Sequence, residues 1–158
     1  MNCYEKLVDY ASNLGMEIIE KSFKSSVKGL CKGNKIGISK DLESSIEKRC
    51  ILAEEMAHSL YTVGNILDLT NPGNLKQELY ARKMAYEFLL PLSSLIAAYK
   101  KGLKACYEIA EYLEVTEEFL TEALYHYQMK YGIYAKYGKY IIYFSPLIVC
   151  EKPSILAV

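Results

Sequence analysis

One long amphipathic helix has to organise this chain. Residues 44–61 open with Ser44-Ser45-Ile46-Glu47 and then set Ile46, Cys50, Ala53, Ala57 and Leu60 at alternating steps of four and three. The opening is a capping box, in which the Ser44 hydroxyl accepts from the Glu47 backbone N–H and the Glu47 carboxylate reaches back. The spacing is a helical apolar stripe, and Gly64 closes the segment. The middle of the stripe is alanine, and small residues let a second backbone come close. Whatever else the chain builds must pack against that stripe.

The flanking patterns supply what could do so. Tyr4, Leu7, Val8, Ala11 and Leu14 predict a helix over 4–14 that stops at Gly15. Met16 to Lys21, Val27 to Cys31 and Lys35 to Ser39 predict short strands, the last two joined by a two-residue turn at Gly33-Asn34. After a loop over 65–74 that ends in Asn71-Pro72-Gly73-Asn74, Asn74 and Gln77 can cap a helix over about 75–90. Its stripe is Ala81, Met84, Ala85, Phe88 and Leu89, and Pro91 stops it. A short helix from Ser93 or Ser94 to Lys101 closes at Gly102. Helices over 105–114 and 117–130 meet at Val115-Thr116, with Thr116 as N-cap. Ile133 to Ala135, a turn at Tyr137-Gly138 and Tyr140 to Phe144 predict a β-hairpin, followed by a loose tail from Glu151. The expected class is α+β: a small N-terminal sheet on the 44–61 helix, a mostly helical second half and a C-terminal hairpin.

Bulk properties exclude several classes. The chain has 158 residues, 51% hydrophobic and 24% charged, which is ordinary for one folded unit and too apolar for disorder. No apolar run approaches the ~20 residues of a membrane span. Met1 to Lys6 lacks a basic region followed by an apolar stretch, so no signal peptide and a cytoplasmic location are expected. The 5 cysteines include no C-x-x-C pair and do not read as a disulfide framework. Net charge is zero, from 19 basic and 19 acidic residues, whereas nucleic-acid binders carry a basic excess.

The 44–61 helix also carries a chemical pattern. Ala53-Glu54-Glu55-Met56-Ala57-His58 sets Glu54 and His58 four residues apart on one face, with Glu55 between them. In H-E-x-x-H metallopeptidase helices the residues at i and i+4 bind the metal, and the Glu at i+1 is the general base. Alone, E-E-x-x-H is a weak signal, because glutamates are common on helix surfaces and a lone His is more often a packed residue. Glu78 adds to it. It begins the next long helix on the side continued by Ala81 and Ala85, where a part-buried carboxylate needs a partner. A plainer role for Glu78 is to answer the helix dipole from the first turn.

Taken in order, these segments resemble the ImmA/IrrE family of metallo-endopeptidases. The matching residues are Lys35-Ile36-Gly37-Ile38, then Leu52-Ala53-Glu54-Glu55-Met56-Ala57-His58, then Glu78-Leu79-Tyr80-Ala81 running to Phe88-Leu89-Leu90-Pro91, within about residues 16–130. The resemblance implies a zincin-like metallopeptidase domain over 1–104. Residues 105–158, a helix-turn-helix-like pair plus the hairpin, would complete one compact unit. It implies His58 and Glu78 as metal ligands and Glu55 as general base. Glu54 stands where the family has its first ligand His. Either Glu54 is itself a ligand, or the site has lost proteolysis and keeps only the fold. The implied metal is Zn²⁺. A donor set of one His and two carboxylates would tilt the preference towards Mn²⁺ or Fe²⁺. Tyr61 and His126 have the chemistry of an oxyanion donor.

The implied substrate is a helix-turn-helix repressor of a phage or mobile element. The alternative is a non-cleaving antirepressor that binds the same kind of partner. The pair at 105–129 contains six Glu and no Lys or Arg, so it would repel phosphates and suits a basic protein better than DNA.

Overall fold

The computed structural model describes residues 1–64 and 67–153. Helix α1 (Cys3–Asn13) starts from Asn2, whose side chain accepts from Glu5 N while Glu5 Oε2 accepts from Asn2 N at 2.8 Å. Strands β1 (Glu17–Lys21), β2 (Gly29–Lys32) and β3 (Lys35–Ser39) form one sheet in the order β1-β3-β2. β2 and β3 are antiparallel around Gly33-Asn34, where Gly33 takes a positive φ of 63°. β1 lies parallel to β3, so among the described residues β1 and β2 are the two edge strands.

Helix α2 (Ser45–Tyr61) packs against α1, β2, β3 and the next helix. Ser44 caps it as expected, accepting from Glu47 N at 3.3 Å. The other half of the box does not form. The Glu47 carboxylate instead accepts from Lys28 Nζ at 2.8 Å, a charged donor that outcompetes a neutral N–H. The buried stripe is also broader than the alternating pattern. Leu52 and Met56 are buried, while Leu60 is 53% exposed, because the sheet and α1 cover faces that a single stripe leaves to water.

Helix α3 (Pro72–Leu89) begins three residues earlier than the spacing predicts. Asn71 is the cap, accepting from Gly73 N at 2.9 Å, and Pro72 sits at the first helical position, where its missing N–H costs nothing. Gln77 does not cap but accepts from Val63 N at 2.7 Å. Residues 65 and 66 of the expected loop lie outside the described residues. Tyr86 replaces Phe88 in the buried face of α3.

Helices α4 (Leu92–Lys100), α5 (Cys106–Tyr112) and α6 (Glu117–Tyr131) follow, with Thr116 Oγ1 capping α6 from 3.1 Å. The chain end is a three-stranded antiparallel meander rather than a hairpin: β4 (Tyr134–Tyr137), β5 (Tyr140–Phe144) and β6 (Leu147–Glu151). Its first turn is Gly138-Lys139, since Tyr137 pairs with Tyr140. Glu151 ends β6 instead of opening a tail, and Ser145-Pro146 makes the turn that a proline conceals in the sequence. Residues 154–158 of the expected tail lie outside the described residues. Among the described residues no helix is long and apolar enough to cross a membrane.

One buried core spans both halves of this mixed α+β fold. Ile36, Ile38, Leu52, Leu90, Leu95, Leu120 and Ile142 are its largest fully buried side chains. Arg49 adds a polar tie. Its Nη1 donates to the carbonyls of Leu113 and Glu114 at 3.1 and 2.6 Å, so α2 satisfies the open C-terminal end of α5. Arg49→Met keeps the stem and removes both bonds. It should cost about 1–2 kcal/mol, read as a drop of several degrees in Tm; an unchanged Tm would refute the tie.

Candidate active site

The candidate residues come from two adjoining helices. Glu54, Glu55 and His58 lie on α2, and Glu78 lies in the second turn of α3. Ala53 and Ala57 of α2 and Ala81 and Ala85 of α3 are buried in the shared core, so nothing bulky holds the two helices apart. His58 Nε2 consequently reaches Glu78 Oε2 at 3.1 Å, with both side chains about one-sixth exposed.

Glu55 points towards the sheet. A Cβ built on Gly29 would stand 3.0 Å from Glu55 Cγ and 2.6 Å from Ile51 Cγ2, so only glycine lets β2 lie this close over α2. Ser59 Oγ donates to Gly33 O at 2.9 Å and ties the β2–β3 turn to the same helix. The result is a cleft of about 730 Å³. β2 forms one wall, Glu55, His58 and Ser59 contribute the α2 side, and Glu78 lies opposite.

Burial dominates the electrostatics. It pushes Glu55 up to about 7, and the charges of Glu54 and Glu78 push the same way. It pushes Glu54 up to about 7 as well, with Arg82 pulling down and Glu122, Glu78 and Glu118 pushing up. For His58 burial lowers the pKa, Glu78 opposes it and Arg82 reinforces it. The net lowering favours the neutral imidazole, whose Nε2–H donates to Glu78. Its Nδ1 is buried and has no hydrogen-bond partner among the described residues.

The structure brings His58, Glu55 and Glu78 to one cleft, but Glu54 does not line it. Tyr61 and His126 do not line it either. The Tyr61 ring packs edge-on against Tyr80 at 5.7 Å, and His126 Nε2 pairs with Glu87 Oε1 at 2.9 Å. The residue that the sequence reading omits is Arg82, whose Nε donates to Glu78 Oε1 at 2.8 Å. Its signal was the Glu-to-Arg spacing of four on one helix.

As these side chains lie, they do not fit a metal ion. Two ligands of a tetrahedral ion stand about 3.3 Å apart, so His58 and Glu78 have a suitable separation. A third donor is missing: among the described residues no three His, Cys, Asp or Glu side chains form a group that could hold an ion. The second oxygen of Glu78 belongs to Arg82. An ion on Nε2 would also move the ring proton to Nδ1, where ligating histidines need an acceptor and this one has none.

The family model of the IrrE N-terminal-like domain matches residues 11–125, which include all four of these positions and Arg82. No curated protein and no solved structure matches the chain significantly.

Proposed function

Because the chain belongs to the ImmA/IrrE family of metallopeptidases, we propose that it is a metal-dependent endopeptidase that cuts a helix-turn-helix repressor. The observation that carries this reading is the position of Glu55. It lies in the cleft beside the His58–Glu78 pair, and burial brings its pKa to about 7. A carboxylate half-ionised at neutral pH is suited to take and return a proton. Glu55 would accept a proton from water as the water oxygen adds to the peptide carbonyl, and would pass it to the amine as the C–N bond breaks.

A zincin-like mode of substrate binding is part of the proposal. Among the described residues β2 is an edge strand, and an extended peptide can add there as a further strand. The acidic face of α5 and α6, where Glu111, Glu114, Glu117 and Glu118 are exposed, suits a basic DNA-binding partner. Family membership implies a metal cofactor. We assign Zn²⁺ first, with Mn²⁺ or Fe²⁺ as the ions that carboxylate-rich donors would favour.

The test is to incubate the full chain with a helix-turn-helix repressor of the phage or mobile-element type, with and without each of the three ions, and to follow both cleavage and binding. The expected result is a discrete, metal-dependent cut. Binding without a cut under every condition would overturn the peptidase reading and leave the non-cleaving antirepressor.

A further inference from the structure

We propose that the chain pairs with a second copy of itself through an apolar face built by α1, α2 and α3. No residue of that face lines the cleft, so the pairing leaves the cleft open and does not depend on the peptidase reading.

The face sets projections beside a hollow. Tyr10 and Leu14 on α1, Leu60 and Tyr61 on α2 and Phe88 on α3 surround a hollow of about 280 Å³. Each of the five leaves 41–53% of its surface in water. Ala57 and Ala85 lie among them and are buried, so the floor is made of small side chains. The Tyr10 and Phe88 rings stack at 5.7 Å and brace one rim. Single apolar side chains on a surface need no explanation, but five around one hollow form a patch.

Area and charge both single out an identical copy as the occupant. Large side chains carry about 150–250 Å² each, so five that are half exposed present roughly 500 Å². Two such faces together would remove roughly 1,000 Å² from water, the size at which a specific interface begins. A two-fold contact sets a face against itself, so any net charge on it would meet its like. Glu87 is the one charged residue among the described residues lining the hollow, and its carboxylate is already paired with His126 and Lys130. The net charge of the whole chain is zero, which removes long-range repulsion between copies as well. A charged partner would find nothing on this face to pair with. A second copy brings what the face lacks, a projecting leucine for each hollow.

The experiment is sedimentation equilibrium of the full chain from about 1 µM to about 200 µM, as wild type, Leu60→Glu, Phe88→Glu and Tyr125→Glu. Tyr125 is 64% exposed on α6 and does not line the hollow, so its variant controls for the loss of any exposed ring. Circular dichroism would establish that each is folded. Wild type should pass from the mass of one chain to that of two within this range. Leu60→Glu and Phe88→Glu should each need at least about tenfold more protein to do so, because a carboxylate would be buried without a partner. Tyr125→Glu should match wild type. Association should persist in about 0.5 M NaCl, since the face carries no net charge. Wild type at the mass of one chain throughout would overturn the proposal. So would a dimer that Leu60→Glu and Phe88→Glu leave intact, one that Tyr125→Glu weakens as much, or one that salt dissolves.

Discussion

Glu55→Gln is expected to cut proteolysis by about 10²–10⁴-fold while leaving partner binding unchanged. The side chain keeps its size, so its approach to Gly29 and the shape of the cleft are preserved. What is lost is the ability to hold a proton between the water and the departing amine. The same variant should be more stable above pH 7, because a buried carboxylate has been replaced by a neutral amide. Single-turnover cleavage of the repressor measures the first effect and urea unfolding the second. A cleavage rate within about threefold of wild type would remove Glu55 from the mechanism.

Glu54→Gln should stabilise the folded chain by up to about 3 kcal/mol at pH 8 and leave it unchanged near pH 4. The folded-state pKa of Glu54 is raised from 4.5 to about 7, mainly by burial. Between those two values the unfolded chain has lost its proton and the folded chain still holds one. Stability therefore falls as pH rises through that window and levels off above it. At about 1.4 kcal/mol per unit, the displacement gives the figure stated. Urea unfolding of wild type and variant at pH 4.5, 6 and 8 would trace the difference. A gain that does not change with pH would mean that Glu54 is not ionised at a buried position. If Glu54 becomes a ligand, the gain at pH 8 should shrink when Zn²⁺ is present.

The legible part of the fold was the part written in local chemistry. Ser44, Thr116, Gly15 and Gly102 mark helix ends by the groups they offer or the angles they permit, and those ends appear where expected. Errors came where distant segments decide. Lys28 takes the Glu47 carboxylate from its box across nineteen positions in sequence. β1 pairs in parallel with β3, which no turn signal encodes. Leu60 satisfies the period of α2 and still faces water, because coverage depends on which neighbours arrive. The site divides in the same way. The four-residue spacing of Glu54 and His58 was readable as one helix face with Glu55 between them, and Glu78 was recognisable from its place at the start of the next helix. That Glu54 does not line the cleft, and that Arg82 takes half of Glu78, depend on side-chain packing between helices.

The alanines between α2 and α3 set a length standard for the chemistry. The gap between an imidazole on one helix and a carboxylate on the other is the sum of two short side chains and two backbones. No reacting group adjusts it. Tolerances at the site are thus kept by residues that touch no substrate, through the carbon atoms they lack. Ala81, fully buried, has the least room for change, because an added methyl there has to displace its neighbours in the core that the two helices share.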